Sequence, residues 1–296
     1  MAALALGSCA KTRPAVAFDG KQAFAWVGRQ VAFGPRAPGT AAHDSCFSFL
    51  LATLRQAAPI ATADTFDYYV PELKKTVRLM NARARFRPEA KQRVVLAAHW
   101  DTRPWADRDP DPALRGRPIP GANDGGSGVA VLLEVAATLK RHAPALGVDI
   151  VLFDGEDLGT EQNPSGFFRG SNRYVVTTSG EPPPLFAIVI DMVGGRDAYF
   201  YWEGNSEDRA SNIVSLVWNR ARSLGQRRFL SGVKHTIYDD HIAFLNAGIP
   251  AIDIIDFDFP EWHTLKDDLS CVSPEPLESV GLVLLSLVTD PDFLGD

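Results

Sequence analysis

Val94-Val-Leu-Ala-Ala-His-Trp-Asp101 is an apolar run that ends in a histidine and an aspartate, two residues apart. Because side-chain direction alternates along a strand, a strand here places His99 and Asp101 on the same face. The stretch Gly121-Ala-Asn-Asp-Gly-Gly-Ser-Gly128 follows after a loop, and residues 129–141 have the pattern of a helix. Imidazole and carboxylate groups at a strand's carboxyl end are candidate ligands of a divalent metal. The alternative is that the pair only caps a strand beside an ordinary turn.

Apolar runs alternate with helical patterns along most of the chain. The runs cover 94–99, 148–153, 185–190 and 249–255, and the helical patterns cover 129–141, 166–178, 208–223, 239–247 and 276–289. Strands that are apolar on both faces are typical of a sheet covered by helices on both sides. The alternation therefore predicts an α/β fold, a three-layer α/β/α sandwich with a mixed, mostly parallel central sheet.

Two helices and a strand pair are predicted ahead of this alternation. One helical pattern covers 21–33, and a second opens at Thr40 or His43 and ends before Pro59. Residues 65–70 and 77–86 are rich in β-branched and aromatic side chains and flank a polar turn. They predict an antiparallel pair at one side of the sheet.

Length and composition predict a globular protein with a sizeable core. The chain has 296 residues, 46% hydrophobic and 22% charged, which is ordinary for a globular protein. The net charge of −6 gives no reason to expect nucleic acid or an anionic membrane as a partner. No apolar stretch is long enough for a membrane span, which needs about 18 residues. Without a repeat or linker, residues 21–296 are predicted to form one domain behind a leader at 1–20.

The start of the chain carries a possible processing signal. Leu6-Gly-Ser-Cys9 resembles the end of a bacterial lipoprotein signal, in which the cysteine is lipidated, although the basic start and full apolar core of such a signal are absent. The motif slightly favours an extracytoplasmic location, periplasmic or anchored through a lipid on Cys9, over a cytoplasmic one. Cys46 and Cys271 then remain, as one disulfide or as two free thiols, and no CxxC spacing supports a thiolate zinc site.

Acidic and histidine side chains follow each apolar run. Glu156 and Asp157 come after 148–153, Asp191 follows the next run directly, and His263 lies a short loop beyond the last. In α/β sheets the ligand site lies beyond the carboxyl ends of the strands, so these groups are expected to meet at one rim.

Three residues form the predicted metal site. Asp124, Asp157 and His263 make a ligand set for zinc or a similar ion, with a fourth position left for water or substrate. Glu156, beside a ligand, is a candidate general base that moves a proton from a nucleophile to a leaving group. An isolated acidic pair more often lies in a solvated loop. Histidines and carboxylates that follow four separate strands are much less expected to converge by accident.

Several motifs resemble the zinc-dependent aminopeptidase family with co-catalytic metals. They occur in the family's order and cover roughly residues 34 to 290. The matching segments are His99-x-Asp101, Gly121–Gly128, Phe153-Asp-Gly-Glu-Asp157, Gly170-Ser171, Ile190-Asp-Met-Val-Gly194 and Asp239-Asp-His-Ile-Ala-Phe244. The resemblance implies the aminopeptidase-like α/β/α fold for one catalytic domain over 21–296.

The segment Phe259-Pro-Glu-Trp-His-Thr264 resembles one branch of that family, the glutaminyl cyclases, which work with a single zinc. The stretch from His99 to Asp107 is similar to bacterial members of this branch. Two features depart from the animal cyclases: the loop before Trp262 is one residue shorter, and residues 158–162 lack a second pocket tryptophan. Trp105 could replace that ring, or could simply pack on the rim.

The resemblance implies a role for each matched residue. Asp124, Asp157 and His263 would bind Zn²⁺, and Glu156 would be the proton shuttle. Asp191 and Asp239 would form a carboxylate network beside it, and the pocket for the glutamine side chain would be lined by Trp262, with Phe259 and Ile237.

The implied reaction is the conversion of an N-terminal glutamine of a peptide or protein to pyroglutamate with release of ammonia. The alternative is a two-zinc aminopeptidase, in which His99 and Asp191 bind a second ion and Asp124 bridges the two. A third possibility, an inactive binding protein on the same scaffold, is disfavoured because both acids and both histidines are intact.

Overall fold

A computed structural model describes residues 16–290, so Cys9 and the lipoprotein-like motif lie outside the described residues. Within this range the strands in chain order are β1 (Ile60–Val70), β2 (Lys75–Phe86), β3 (Arg93–His99), β4 (Gly147–Phe153), β5 (Phe186–Asp191), β6 (Phe200–Glu203), β7 (Phe229–His235) and β8 (Ala251–Ile255). The helices are α1 (Gly20–Val31), α2 (Ala41–Ala57), α3 (Ser127–Arg141), α4 (Arg169–Thr177), α5 (Gly204–Ser223), α6 (His241–Asn246) and α7 (Pro274–Thr289).

The main sheet has the strand order β1-β2-β4-β3-β5-β8. Strands β4, β3, β5 and β8 run parallel, and the antiparallel β1 and β2 extend the sheet at one side. All residues of the four parallel strands are buried, so helices cover both faces. Helices α1, α3 and α7 pack together as one group, and α4 packs with α6. The predicted mixed, mostly parallel α/β fold is confirmed.

Local chemistry explains where the first two helices begin. The side chain of Asp19 accepts a hydrogen bond from the Gln22 amide at 2.9 Å, which caps α1. Thr40 caps α2 in the same way, accepting from the His43 amide at 3.2 Å, so of the two predicted starts Thr40 is the cap.

Some elements differ from the sequence predictions. Strand β1 begins at Ile60 rather than 65, and β6 and β7 form a separate parallel two-stranded sheet that was not predicted. These segments are short or largely exposed, so they lack the buried runs of the central strands.

Among residues 16–290, no helix combines the length and the apolarity needed to cross a bilayer. Cys46 and Cys271 are free thiols.

Candidate metal and acid-base site

The parallel strands bring the candidate residues to one edge of the sheet. His99 is the last residue of β3 and pairs in register with Phe153, the last residue of β4. Asp191 ends β5, next to β3. Because the strands are parallel, their carboxyl ends meet at the same rim, as the sequence predicted.

Asp124, Asp157 and His263 form what we term the primary cluster, with at most 7% of any side chain exposed. His263 Nε2 lies 3.4 Å from Asp157 Oδ1 and 3.7 Å from Asp124 Oδ2. The Oδ2 atoms of both aspartates are buried without a hydrogen-bond partner among the described residues. Buried carboxylate oxygens without partners are costly, and a cation would satisfy them. One imidazole and two carboxylates fit zinc with an open position.

His99, Asp124 and Asp191 form the secondary cluster. His99 Nε2 lies 3.1 Å from Asp191 Oδ1 and 3.2 Å from Asp124 Oδ1. Asp191 Oδ1 also accepts the Met192 amide at 2.8 Å. Asp124 therefore directs one oxygen to each cluster. In the aminopeptidase alternative these residues were predicted to bind a second metal, and the structure brings them together.

Two buried aspartates hold the backbone of the ligand loops. Asp101 accepts the amides of Glu156 and Asp157 at 3.2 and 3.3 Å, which assigns Asp101 a role in shaping the site. Asp267 accepts the amides of Asn123 and Asp124 at 2.7 and 3.1 Å. Burial and the charge of Asp124 raise the pKa of Asp267 to about 8. Sequence reasoning missed Asp267, because it lies in an irregular loop without periodicity.

Close packing explains why the glycine stretch stands next to His99. Gly125 has φ +73°, and a Cβ there would lie 2.3 Å from the Asp101 carbonyl oxygen and 3.0 Å from His99 Cε1. Any larger residue would push the loop away from the strand end. The glycine therefore lets Asp124 approach the other ligands.

Glu156 lies beside both clusters, with a carboxylate oxygen within 4.8 Å of ligand atoms of Asp157 and His99. Burial and then the charge of Asp157 raise the pKa of Glu156 well above its usual range. Asp239 lies at the same cavity, and burial and the charge of Asp191 raise its pKa to about 6. Carboxyl groups with raised pKa values hold and release protons near neutral pH, as acid-base catalysis needs.

Neighbouring carboxylates raise the pKa of His263. Burial lowers its pKa, but hydrogen bonds to Asp107 and Asp157 outweigh this and raise the pKa to about 9. The residue also has φ +57°, in the left-handed region that is unfavourable for side-chain-bearing residues. Such backbone strain is typical of functional sites and had no signal in the sequence.

A cavity of about 1120 Å³ opens beside the primary cluster. Its wall includes the aromatic and apolar side chains of Trp105, Phe167, Phe168, Ile237, Phe257 and Trp262. The Trp262 ring centroid lies 4.1 Å from that of His263, so the indole covers a candidate ligand. Phe259 differs from the expectation: it is buried against Met192 and Ile255 and does not line this cavity.

Known proteins that resemble this chain in sequence and structure include glutaminyl cyclases and a zinc-dependent exopeptidase. The profile of Peptidase family M28 matches residues 81–288. The glutaminyl-peptide cyclotransferase of Gloydius blomhoffii is 26% identical over 294 residues, covering 88% of this chain and 78% of that protein. The solved structure of Bacteroides thetaiotaomicron glutaminyl cyclase is 36% identical with a TM-score of 0.89, covering 93% and 98% of the two chains. A Zn-dependent exopeptidase from Parabacteroides distasonis has the same identity and TM-score, covering 93% and 99%.

These matches confirm the resemblance to the glutaminyl cyclases that the motifs indicated. The family profile spans more than half of the chain and begins within strand β2. It includes both clusters and Glu156. The chain belongs to Peptidase family M28.

Proposed function

We propose that this chain is a zinc-dependent glutaminyl-peptide cyclotransferase, which converts the N-terminal glutamine of a peptide or protein to pyroglutamate and releases ammonia. The observation that carries this proposal is the turn in which Trp262 packs on His263 and lines the cavity at Glu156. An apolar wall at that point suits the methylene groups of a glutamine side chain. The named cyclases among the relatives support the same reaction.

One zinc ion would be held by Asp124, Asp157 and His263. The two unpartnered carboxylate oxygens and the imidazole match the donor set that zinc prefers, and no cysteine of residues 16–290 belongs to this group. The chemistry that a bound zinc supplies is Lewis-acid polarisation of the γ-carbonyl oxygen of the substrate.

Glu156 moves the proton in this reaction. The substrate's α-amine attacks its own γ-amide carbon, a C–N bond forms, and the bond to the amide nitrogen breaks. Glu156 takes a proton from the attacking amine and gives it to the departing nitrogen, which leaves as ammonia. Its raised pKa lets the carboxyl group hold that proton during the exchange. The nucleophile belongs to the substrate, so no water has to be activated.

Asp191 and Asp239 support the amine and the shuttle. Both line the cavity with Glu156, and Asp191 keeps its position through the contact with His99 and the Met192 amide. Asp191 would accept a hydrogen bond from the substrate's amine, and Asp239 would share a proton within the carboxylate group. Close carboxylates cannot all remain ionised, and the raised pKa of Asp239 follows from this repulsion together with burial.

Side chains of the cavity wall would orient the substrate. Trp262 and Ile237, both half-buried, face the cavity beside the primary cluster. Trp105 also lines this cavity, so it is placed to supply the ring that residues 158–162 lack. A cavity of about 1120 Å³ also leaves room for the residues that follow the glutamine.

A two-zinc aminopeptidase is the second candidate, because the secondary cluster gathers His99, Asp124 and Asp191. Metal content and products separate the two functions. We expect one zinc per chain, and a glutaminyl peptide converted to the pyroglutamyl peptide without release of a free amino acid, measured by mass spectrometry. Two zinc ions per chain together with released N-terminal residues would establish the aminopeptidase instead.

We also propose an extracytoplasmic location with a lipid on Cys9, supported by the motif Leu6-Gly-Ser-Cys9. Mass spectrometry of the mature protein from cells tests this. A diacylglyceryl group on an N-terminal Cys9 is the expected result, and an unmodified chain that retains residues 1–8 would contradict the proposal.

A further inference from the structure

Asp107 contacts a residue of the primary cluster but belongs to neither cluster. Its side chain is 40% exposed, on the segment between β3 and α3. Asp107 Oδ1 lies 3.2 Å from His263 Nδ1, the ring nitrogen that faces away from the other ligands. The same carboxylate accepts hydrogen bonds from Arg103 Nε at 2.9 Å and from Arg103 Nη2 at 2.7 Å. Asp107 thus connects His263 to a buried guanidinium.

Arg103 in turn contacts the second ligand, Asp157. Its Nη1 donates to the Asp157 carbonyl oxygen at 3.2 Å and to the Gly159 carbonyl oxygen at 3.1 Å. The guanidinium carbon lies 5.4 Å from the Trp105 ring centre and 5.7 Å from that of Phe167, within the range of cation–π contacts. Only 4% of its side chain is exposed. With the Asp107 carboxylate, five groups therefore contact the Arg103 guanidinium.

The backbone of the same segment also contacts the turn that carries His263. The Arg108 amide donates to the His263 carbonyl oxygen at 3.2 Å, and the Leu265 amide donates to Asp109 Oδ2 at 3.1 Å. His263 has the unfavourable φ of +57°, so its conformation needs such contacts to persist.

We propose that Arg103 and Asp107 are positioning residues that together fix two of the three metal ligands, His263 and Asp157. The inference rests on the proposed zinc-dependent function. A proton on His263 Nδ1 would face Asp107 Oδ1 at 3.2 Å, which favours the tautomer whose Nε2 lone pair is available to a metal. Arg103 fixes the Asp157 backbone and, through its planar fork, the orientation of Asp107. Both residues line the cavity, and the role proposed for them acts through His263 and Asp157.

Zinc affinity, measured by competition with a chelator, tests the proposal without reference to activity. Asp107→Ala is expected to raise the zinc dissociation constant roughly 10- to 100-fold, the usual effect of removing an outer partner of a ligand. Arg103→Lys keeps the charge but loses the fork, so it should weaken zinc binding in the same direction. Asp208→Ala, at an exposed position on α5, is the control and should stay within about twofold of wild type.

Thermal unfolding of the zinc-free proteins separates positioning from folding. Zinc-free D107A and R103K should still unfold cooperatively, at a temperature below that of the wild type because each leaves buried polar groups unpaired. Zinc should stabilise each of them less than it stabilises the wild type. D107A binding zinc within about twofold of wild type would overturn the proposal, as would a loss of affinity explained by unfolding of both zinc-free variants. Wild-type protein that binds zinc but makes no pyroglutamate would refute the proposed function and leave this test intact.

Discussion

The two clusters share Asp124 but satisfy their polar atoms differently. In the secondary cluster His99 Nε2 has carboxylate oxygens at 3.1 and 3.2 Å, and Asp191 Oδ1 also accepts a backbone amide. In the primary cluster the Oδ2 atoms of Asp124 and Asp157 have no partner among the described residues. His99 Nδ1 is also buried without a partner among the described residues, so the contrast lies in the carboxylates. Both carboxylates of the primary cluster leave one oxygen without a partner, which makes it the better candidate site for a cation.

This difference supports one zinc ion and a reaction in which the substrate provides its own nucleophile. It also explains how a protein of an aminopeptidase-like family can keep every residue of a second metal site. Under the proposed function, His99 and Asp191 would serve as a hydrogen-bonded pair, and the charge of His99 would act on Glu156, the proposed proton shuttle. The predictions below act on one cluster at a time.

The largest effect is expected from removing a ligand of the primary cluster. His263→Ala should lose zinc and lower kcat/KM at least about 10³-fold, because a Lewis acid contributes several kcal/mol to the barrier. His99→Ala, the matched change in the secondary cluster, should retain one zinc and lose about tenfold in activity, the equivalent of one hydrogen bond to a charged group. Zinc content after dialysis and cyclisation rates are the measurements. Loss of zinc in H99A equal to that in H263A would contradict the distinction between the clusters.

The next effect concerns Glu156, which lies between the clusters. Glu156→Gln keeps the size of the side chain but cannot accept a proton, so kcat should fall about 10²- to 10⁴-fold while zinc content stays unchanged. Rates of pyroglutamate formation, measured on protein with verified zinc content, test this. An unchanged rate would remove the assignment of Glu156 as the proton shuttle.

The central strands and the site rim could be predicted from the sequence because strands buried on both faces appear as continuous apolar runs. Strands β3 and β4 were predicted within one residue, since both faces are buried and the runs are continuously apolar. Their carboxyl ends then placed His99 and Glu156 at one rim through a general rule for such sheets. Strand β6 could not be predicted in this way because it has only four residues, and the first part of β1 because its side chains are half-buried or exposed.

The supporting residues of the site were beyond prediction for a different reason. Asp107 and Asp267 lie in irregular loops, and their contacts depend on how those loops fold back over the ligands. No periodicity describes such a path. Phe259 shows the converse: its motif predicted a residue of the pocket wall, but the turn directs it into the apolar cluster with Met192. The candidate ligands could be predicted from the sequence, whereas the side chains that contact and support them depend on how the loops pack.

A shift in pH dependence is the third prediction, and it concerns the charges around Glu156. Glu156 must be ionised to accept a proton, so kcat should be lost as pH falls through its raised pKa. The charge of Asp239 is one cause of that raised pKa. Asp239→Asn removes the charge and should move the acid limb of the kcat–pH profile to lower pH, whereas Asp208→Asn should leave it in place. A limb that stays fixed, or moves to higher pH, in D239N would contradict this coupling.

The smallest effect is expected from the rings of the cavity wall, and it tests whether the substrate lies against the primary cluster. Trp262 packs on His263, a residue of the primary cluster, whereas Trp105 lies against Arg103. Trp262→Leu should raise KM about three- to tenfold with a smaller change in kcat, because an aromatic contact is worth about 0.5–1.5 kcal/mol. Trp105→Leu should raise KM less. Steady-state kinetics with a glutaminyl peptide measure both, and a larger effect at Trp105 would place the glutamine side chain on the Arg103 side of the cavity instead.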